Sequence, residues 1–254
     1  MKTMYRLPTD TLLHDISDFP RVSPLVRRTI AVETKKDSRL VFLTEPTGLA
    51  VEQYKMLRRR LQHRRPEGGV LLITSPGPSE GKTLTSINLA WCLADCGEST
   101  CLVDLDFRAA GVGETLGCSF ANDGVEDALS GERKIVDVLC RLGDRPLTVM
   151  GVKERSASSS KVLTPKRIAA FLAELKSMFQ WVILDLPPAV PFADVAEVLP
   201  YVDGALLVVR AGKTQKQLVA APVGILGAKL WGIVLNDVPI EGSGYYGYYG
   251  AVAP

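Results

Sequence analysis

An apolar run from Val70 to Thr74 breaks at Ser75-Pro76-Gly77-Pro78-Ser79-Glu80-Gly81-Lys82-Thr83, and a helical pattern starts straight after it. Strand, tight turn and helix in that order form the local context of a phosphate-binding loop. Backbone N–H groups of such a turn and of the new helix's N-terminus point at one place, where the helix dipole favours an anion. Gly81 lets the backbone close in without a Cβ clash. Residues Gly77, Pro78, Ser79, Glu80, Gly81, Lys82, Thr83 and Leu84 are the candidate cradle. Lys82 is suited to the β- and γ-phosphates of a nucleotide and the Thr83 hydroxyl to Mg²⁺. Pro76 stands where the usual loop consensus has its first glycine. A Gly-Lys-Thr triplet alone is a weak signal, so the weight falls on what accompanies it.

Two further segments accompany it. Thr100-Cys101-Leu102-Val103-Asp104-Leu105-Asp106-Phe107-Arg108 is a short apolar strand ending in alternate carboxylates and an arginine. Trp181-Val182-Ile183-Leu184-Asp185-Leu186-Pro187-Pro188 is a second, ending in one carboxylate before a double proline. A carboxylate at the C-terminal end of a parallel strand lies at the crevice where open α/β sheets bind ligands. Mg²⁺ on a nucleotide needs oxygen ligands there. An aspartate at one strand end is as readily a turn cap. Three beside a phosphate loop are not.

These segments resemble the Walker A, Walker A′ and Walker B motifs of the bacterial protein-tyrosine kinases (BY-kinases) that control capsule and exopolysaccharide export, of the CpsD/CapB type. The most specific mark is Asp-x-Asp-x-Arg, seen as Asp104, Asp106 and Arg108, followed by Asp-x-Pro-Pro at Asp185, Pro187 and Pro188. The resemblance covers roughly 48–249. It implies an α/β P-loop NTPase fold, a mostly parallel central sheet flanked by helices on both faces, and ATP with Mg²⁺ as donor and cofactor. It also implies that Asp104 takes the proton of an incoming tyrosine hydroxyl, that Thr83, Asp106 and Asp185 serve the metal, and that Arg108 contacts the nucleotide. The residues themselves leave open which of Asp104 and Asp106 is base and which is metal partner.

At 254 residues the chain is long enough for one α/β domain with a full core. With Lys+Arg 30 against Asp+Glu 28, no global field points to nucleic acid. No apolar run approaches the length of a membrane span and the start lacks a secretory pattern, so a cytoplasmic chain with reduced thiols is expected. Cys92, Cys96 and Cys101 fall in expected core elements. Residues 1–47 show no sustained period and read as a largely irregular extension whose one candidate element is a strand at 39–43. The kinase-like domain is expected over 48–240, opening with a basic helix at 48–65. Strands are expected near 70–74, 100–104, 147–151, 181–185, 204–209 and 231–235. The clearest helix follows Thr164 as N-cap and Pro165 at its first position, with Ile168, Phe171, Leu172, Leu175, Met178 and Phe179 on one stripe.

Three segments bear on substrate and partners. The tail, 241–254, carries Tyr245, Tyr246, Tyr248 and Tyr249, four of the chain's seven tyrosines, separated by glycines that keep the backbone permissive. By itself such a composition is commonly just a disordered end. Beside the nucleotide motifs it reads as a set of phosphate acceptors, as in the family's tyrosine-rich tails. In the basic helix, Glu52-x-x-Lys55-x-x-Arg58 resembles the family's Glu-x-x-Arg-x-x-Arg segment, which packs on a neighbouring subunit; Lys55 keeps the charge but loses bidentate geometry. Asn236, after the last strand, has the side-chain amide that can read adenine's edge, where a turn role is the plain alternative. The resemblance further implies a homo-oligomer whose tails enter neighbouring sites, a membrane-embedded polysaccharide co-polymerase that activates the chain, a cognate phosphatase, and a position at the inner face of the membrane through that partner.

Two other functions share this fold. Partner-regulated ATPases of the septum-positioning and plasmid-partition type usually carry an extra lysine where this chain has Gly77, and their membrane-binding members end in an amphipathic helix. The other is a nucleotide-gated, non-enzymatic scaffold for polysaccharide export, against which the intact Lys82, Asp104, Asp106 and Asp185 argue.

Overall fold

The computed structural model describes residues 26, 28–32, 39–143, 147–155 and 162–239. Eight strands form one sheet in the order β1-β4-β5-β3-β6-β2-β7-β8. They are β1 (Arg28–Ile30), β2 (Gly69–Thr74), β3 (Thr100–Asp104), β4 (Cys140–Leu142), β5 (Leu147–Met150), β6 (Trp181–Asp185), β7 (Gly204–Arg210) and β8 (Leu230–Asn236). All neighbours run parallel except β4 and β5.

The central strands β2, β3 and β6 are buried at every position. That is why they read as unbroken apolar runs and not as alternations. Alternate residues still go to opposite faces: Val70 and Leu72 join one core, Leu71 and Ile73 the other. The first core is closed by the helices α5 (Val125–Ser130), α7 (Pro165–Met178) and α8 (Asp194–Val198). Ile168, Phe171, Leu172 and Leu175 supply the buried stripe of α7, and Pro165 takes its first position, although the Thr164 side chain makes no capping bond. The second core lies under α2 (Leu49–Arg64) and α3 (Lys82–Asp95). From Thr85 to Ala94 every residue of α3 is buried, because the sheet covers one side and α2 covers the other. The two cores are the two faces of one sheet.

Three local expectations change. The strand expected at 39–43 is a helical turn, α1 (Val41–Thr44). Buried Asn88 on α3 accepts from the Val41 N–H and donates to the Arg39 carbonyl, and these bonds tie the turn to the domain. The supposedly irregular extension also contributes β1, paired with β4 at a sheet edge. Cys96 is exposed at the end of α3, not in the core, whereas Cys92 and Cys101 are buried. Among the described residues no helix is long and apolar enough to cross a membrane.

Candidate active site

Strands β3, β6 and β2 are consecutive neighbours and run parallel, so their C-terminal ends open on one line. Asp104 and Asp185 stand opposite one another in register, and Ile73 lies across from Asp185. The turn after β2 therefore begins beside both carboxylate-bearing strand ends. It is braced there: the Thr74 hydroxyl donates to the Pro187 carbonyl at 2.7 Å and the Ala189 N–H to the Ser75 carbonyl at 2.9 Å.

The turn itself has the geometry its sequence requires. Ser79 takes φ +60° and Gly81 φ +91°, after which α3 begins at Lys82. A Cβ on Gly81 would come within 2.0 Å of Asn236 Nδ2. That amide donates to the Glu80 carbonyl at 2.9 Å. The Glu80 carboxylate accepts from the Arg210 N–H and the Thr214 hydroxyl, both at 2.6 Å. Glu80 and Asn236 thus lock the turn to the ends of β7 and β8. Pro78 and Ser79 are exposed at its crest, Gly77 is partly covered, and Leu84 packs against the second core.

Lys82 lies at the centre. Its ammonium is 2.6 Å from Asp106 Oδ2 and 3.8 Å from Asp185 Oδ2, and it donates to Thr83 Oγ1 at 3.3 Å. Burial alone would lower the Lys82 pKa, but the charges of Asp185, Asp106 and Asp104 more than offset it and hold the ammonium above its usual range. Asp185 is fully buried and raised by that burial, against the pull of Lys82, Thr83 and Ser86. Ser86, one turn beyond Lys82, donates to Asp185 Oδ1 at 3.0 Å. Asp104 accepts the N–H groups of Asp106 and Val112 at 3.0 and 3.1 Å. Burial first, then the Asp185 charge, pushes it up to about 8.

The buried oxygens Asp106 Oδ2 and Asp185 Oδ2 both face the Lys82 ammonium as ion-pair partners. With Thr83 Oγ1 they form a hard oxygen donor set. Among the described residues no group of three or more His, Cys, Asp or Glu makes a metal cage. Mg²⁺ is commonly held by one or two carboxylates, waters and substrate phosphates, so this donor set fits it.

The other expected site residues make contacts of their own within the chain or lie outside the described residues. Arg108 is drawn to Asp194 at 2.7 Å and lies over the Phe192 ring at 4.4 Å. Glu52 and Lys55 pair with each other at 2.7 Å, and Arg58 turns back toward Cys92 on α3. Tyr245, Tyr246, Tyr248 and Tyr249 lie outside the described residues. Sequence reasoning did not reach Ser86, Asp194 or Thr214. Only Ser86 carried a signal, its spacing of one helical turn from Lys82.

No family profile matches the chain. It is 30% identical over 199 residues to the tyrosine-protein kinase CpsD of Streptococcus pneumoniae serotype 4, covering 77% of this chain and 88% of that one. It is 28% identical over 234 residues to the tyrosine-protein kinase YwqD of Bacillus subtilis, covering 87% and 97%. Among solved structures, the kinase domain of the Escherichia coli tyrosine kinase ETK superposes with a TM-score of 0.75 at 26% identity, over 83% of this chain and 84% of that one. The cell-division ATPase MinD of Pyrococcus furiosus shares the fold more distantly, with a TM-score of 0.56. The sheet and its flanking helices are those of the P-loop NTPase-like fold that both structures share.

Proposed function

The chain belongs to the bacterial tyrosine-protein kinases, and from that membership we propose that it is an ATP- and Mg²⁺-dependent autokinase acting on its own C-terminal tyrosines. The observation that carries this reading is the meeting of Lys82 with Asp106 and Asp185, one strand end from Asp104. A phosphoryl group passing between two oxygens asks a protein for position and charge neutralisation more than for covalent chemistry. Lys82 and the turn amides hold the phosphates. Thr83, Asp106 and Asp185 hold Mg²⁺, which when bound neutralises charge on the phosphate oxygens, and Ser86 keeps Asp185 turned inward. A tyrosine Oη bonds to Pγ of ATP as the bond from Pγ to the bridging oxygen breaks; ADP leaves with that electron pair. The hydroxyl proton passes to the Asp104 carboxylate, which stands at the end of β3 opposite Asp185.

Asn236 and Arg108 also support the site from within the chain. Asn236 fixes the turn through the Glu80 carbonyl, with its amide oxygen left for adenine. Arg108 orders the segment after Asp106 through Asp194. The resemblance to the family supports the wider reading. We place the chain in the cytoplasm at the inner membrane face, assembled with copies of itself through Glu52, Lys55 and Arg58. A membrane-embedded polysaccharide co-polymerase stimulates it, a phosphatase resets it, and the output is control of capsule or exopolysaccharide export.

The experiment is intact-mass measurement after incubation with ATP and Mg²⁺. ATP-dependent +80 Da steps (about one phosphate each) in the parent and none in Lys82→Ala support the kinase. Release of phosphate into solution without mass gain sinks it and favours the ATPase reading that the MinD-like fold keeps in view.

A further inference from the structure

The outer side of α2 carries an unusual concentration of positive charge. Met56, Arg59, Arg60 and His63 stand at helical spacings of three, four and seven residues, and all four are exposed, Met56 to 58%. The helix packs on α3 beneath them, so this crest is the outermost layer of its side of the sheet. Arg59, Arg60 and His63, with Gln62, line an open hollow of about 610 Å³. Five Lys and Arg in α2 face Glu52 as its one acid, a net +4 in a chain whose total is +2, so the rest of the molecule is net negative.

Helix stability does not account for this charge. Lys55 and Arg59 are four residues apart, as are Arg60 and Arg64, and like charges at that spacing weaken a helix. Cations in the last turn answer the helix dipole, which covers His63 and Arg64 but not Arg59 or Arg60. Neighbouring cations are engaged within the chain: Lys55 by Glu52, Arg65 by Glu67 and Asp203, and Arg64 over the Trp231 ring. Glu98, an acid that adjoins the hollow, accepts from Gln62 at 2.6 Å. Arg59 and Arg60 have no ion-pair partner among the described residues.

We propose that this crest is a membrane-surface site: it lies on an anionic lipid leaflet, with Arg59 and Arg60 among the headgroup phosphates and Met56 at the edge of the acyl chains. Three features select that occupant. Guanidinium groups match phosphate oxygens in charge and geometry. An exposed apolar side chain in the same stripe gains from a lipid boundary and gains nothing from a nucleic-acid backbone. Orientation agrees as well. The basic end of α2 leads through four residues into the start of β2, while the phosphate turn follows the other end of that strand, roughly 20 Å further on. A chain resting on its α2 crest keeps the nucleotide turn away from the lipid, and the first half of the helix, with Glu52, Lys55 and Arg58, stays free for contact between copies. This site goes beyond the kinase reading and does not depend on it.

The test is co-sedimentation of the full, unphosphorylated chain with vesicles of phosphatidylcholine alone or mixed with phosphatidylglycerol. The parent should bind the mixed vesicles, leave the neutral ones in solution, and come off at about 1 M salt, where the screening length is about 3 Å. Each arginine near an anionic surface raises partitioning about fivefold. The double variant Arg59→Gln/Arg60→Gln should therefore bind the mixed vesicles about 25-fold more weakly. The control Lys166→Gln/Lys216→Gln removes the same charge from exposed positions outside α2 and should stay within about twofold of the parent. Absence of binding to the mixed vesicles overturns the site, and so does an equal loss in both double variants, which would reduce the effect to net charge. Tighter, Arg59- and Arg60-dependent binding of single-stranded RNA would also overturn it, in favour of nucleic acid. A change in assembly size of Arg59→Gln/Arg60→Gln without vesicles would do the same, by assigning the crest to contact between copies.

Discussion

Removing the Glu80 carboxylate should loosen the whole molecule and not only its nucleotide loop. Its oxygen accepts a backbone N–H from Arg210 and a hydroxyl from Thr214 at 2.6 Å each, and the residue is only 8% exposed. Bonds to a carboxylate are worth about 1.5–3 kcal/mol each, and a buried N–H left without an acceptor costs about 1–3 kcal/mol. Allowing for water reaching the vacated space, Glu80→Ala should cost about 3 kcal/mol. For a chain of this length that lowers Tm by about 6–12 °C. Thr214→Val should cost about a third of that. Because both changes break the same cluster, the double variant should be little worse than Glu80→Ala alone. Circular dichroism melts of the four proteins without nucleotide measure all three quantities. A Tm for Glu80→Ala within about 2 °C of the parent, or full additivity with Thr214→Val, would refute the clamp.

Other outcomes follow from the same geometry. Gly81→Ala should abolish detectable ATP-analogue binding, since its φ of +91° and the approach of Asn236 Nδ2 leave no room for a methyl; adding Asn236→Ala should restore part of it, and no recovery would show that the backbone angle alone is at fault. Between about pH 4 and 8 the folded protein keeps a proton on Asp104 that the unfolded chain has released, so the ligand-free protein should lose stability as pH rises through that window. Asp104→Asn should flatten this slope, and melts at several pH values would show it. Four phosphates on the tail would carry the chain from a net +2 to about −4 to −6. Sedimentation should then show smaller assemblies than for dephosphorylated protein; identical profiles would remove charge repulsion from the account.

The frame of this molecule was legible because its central strands are covered on both faces. Runs such as Val70 to Thr74 and Trp181 to Asp185 admit few other readings, and the glycine-lysine turn fixed where the first of them ends. The sheet edge at β8 was legible, but the edge at β1 was not. Strands β1 and β4 are three residues each, too short for any periodicity, and Val41–Thr44 owes its helical turn to bonds from Asn88, far away in sequence. At the site, residues that hold charge were readable from type and position, as Lys82, Asp104, Asp106 and Asp185 were. Their supports were not. Thr214 meets Glu80 and Asp194 meets Arg108 only through the order of strands in the sheet. Asn236 stands at the end of β8 as expected, and its amide nitrogen also holds the turn through the Glu80 carbonyl, a second role its residue type allows but its place in the sequence does not announce.

The most direct test of the central claim mixes two full-length variants with ATP and Mg²⁺. One carries Lys82→Ala and an intact tail; the other keeps Lys82 and has its four tail tyrosines changed to Phe. Peptide mapping by mass spectrometry then locates phosphate on the first chain. The account predicts phosphate on Tyr245, Tyr246, Tyr248 or Tyr249 of the Lys82→Ala chain, and only when the second chain is present. ATP consumed with every one of those tyrosines unmodified would contradict it.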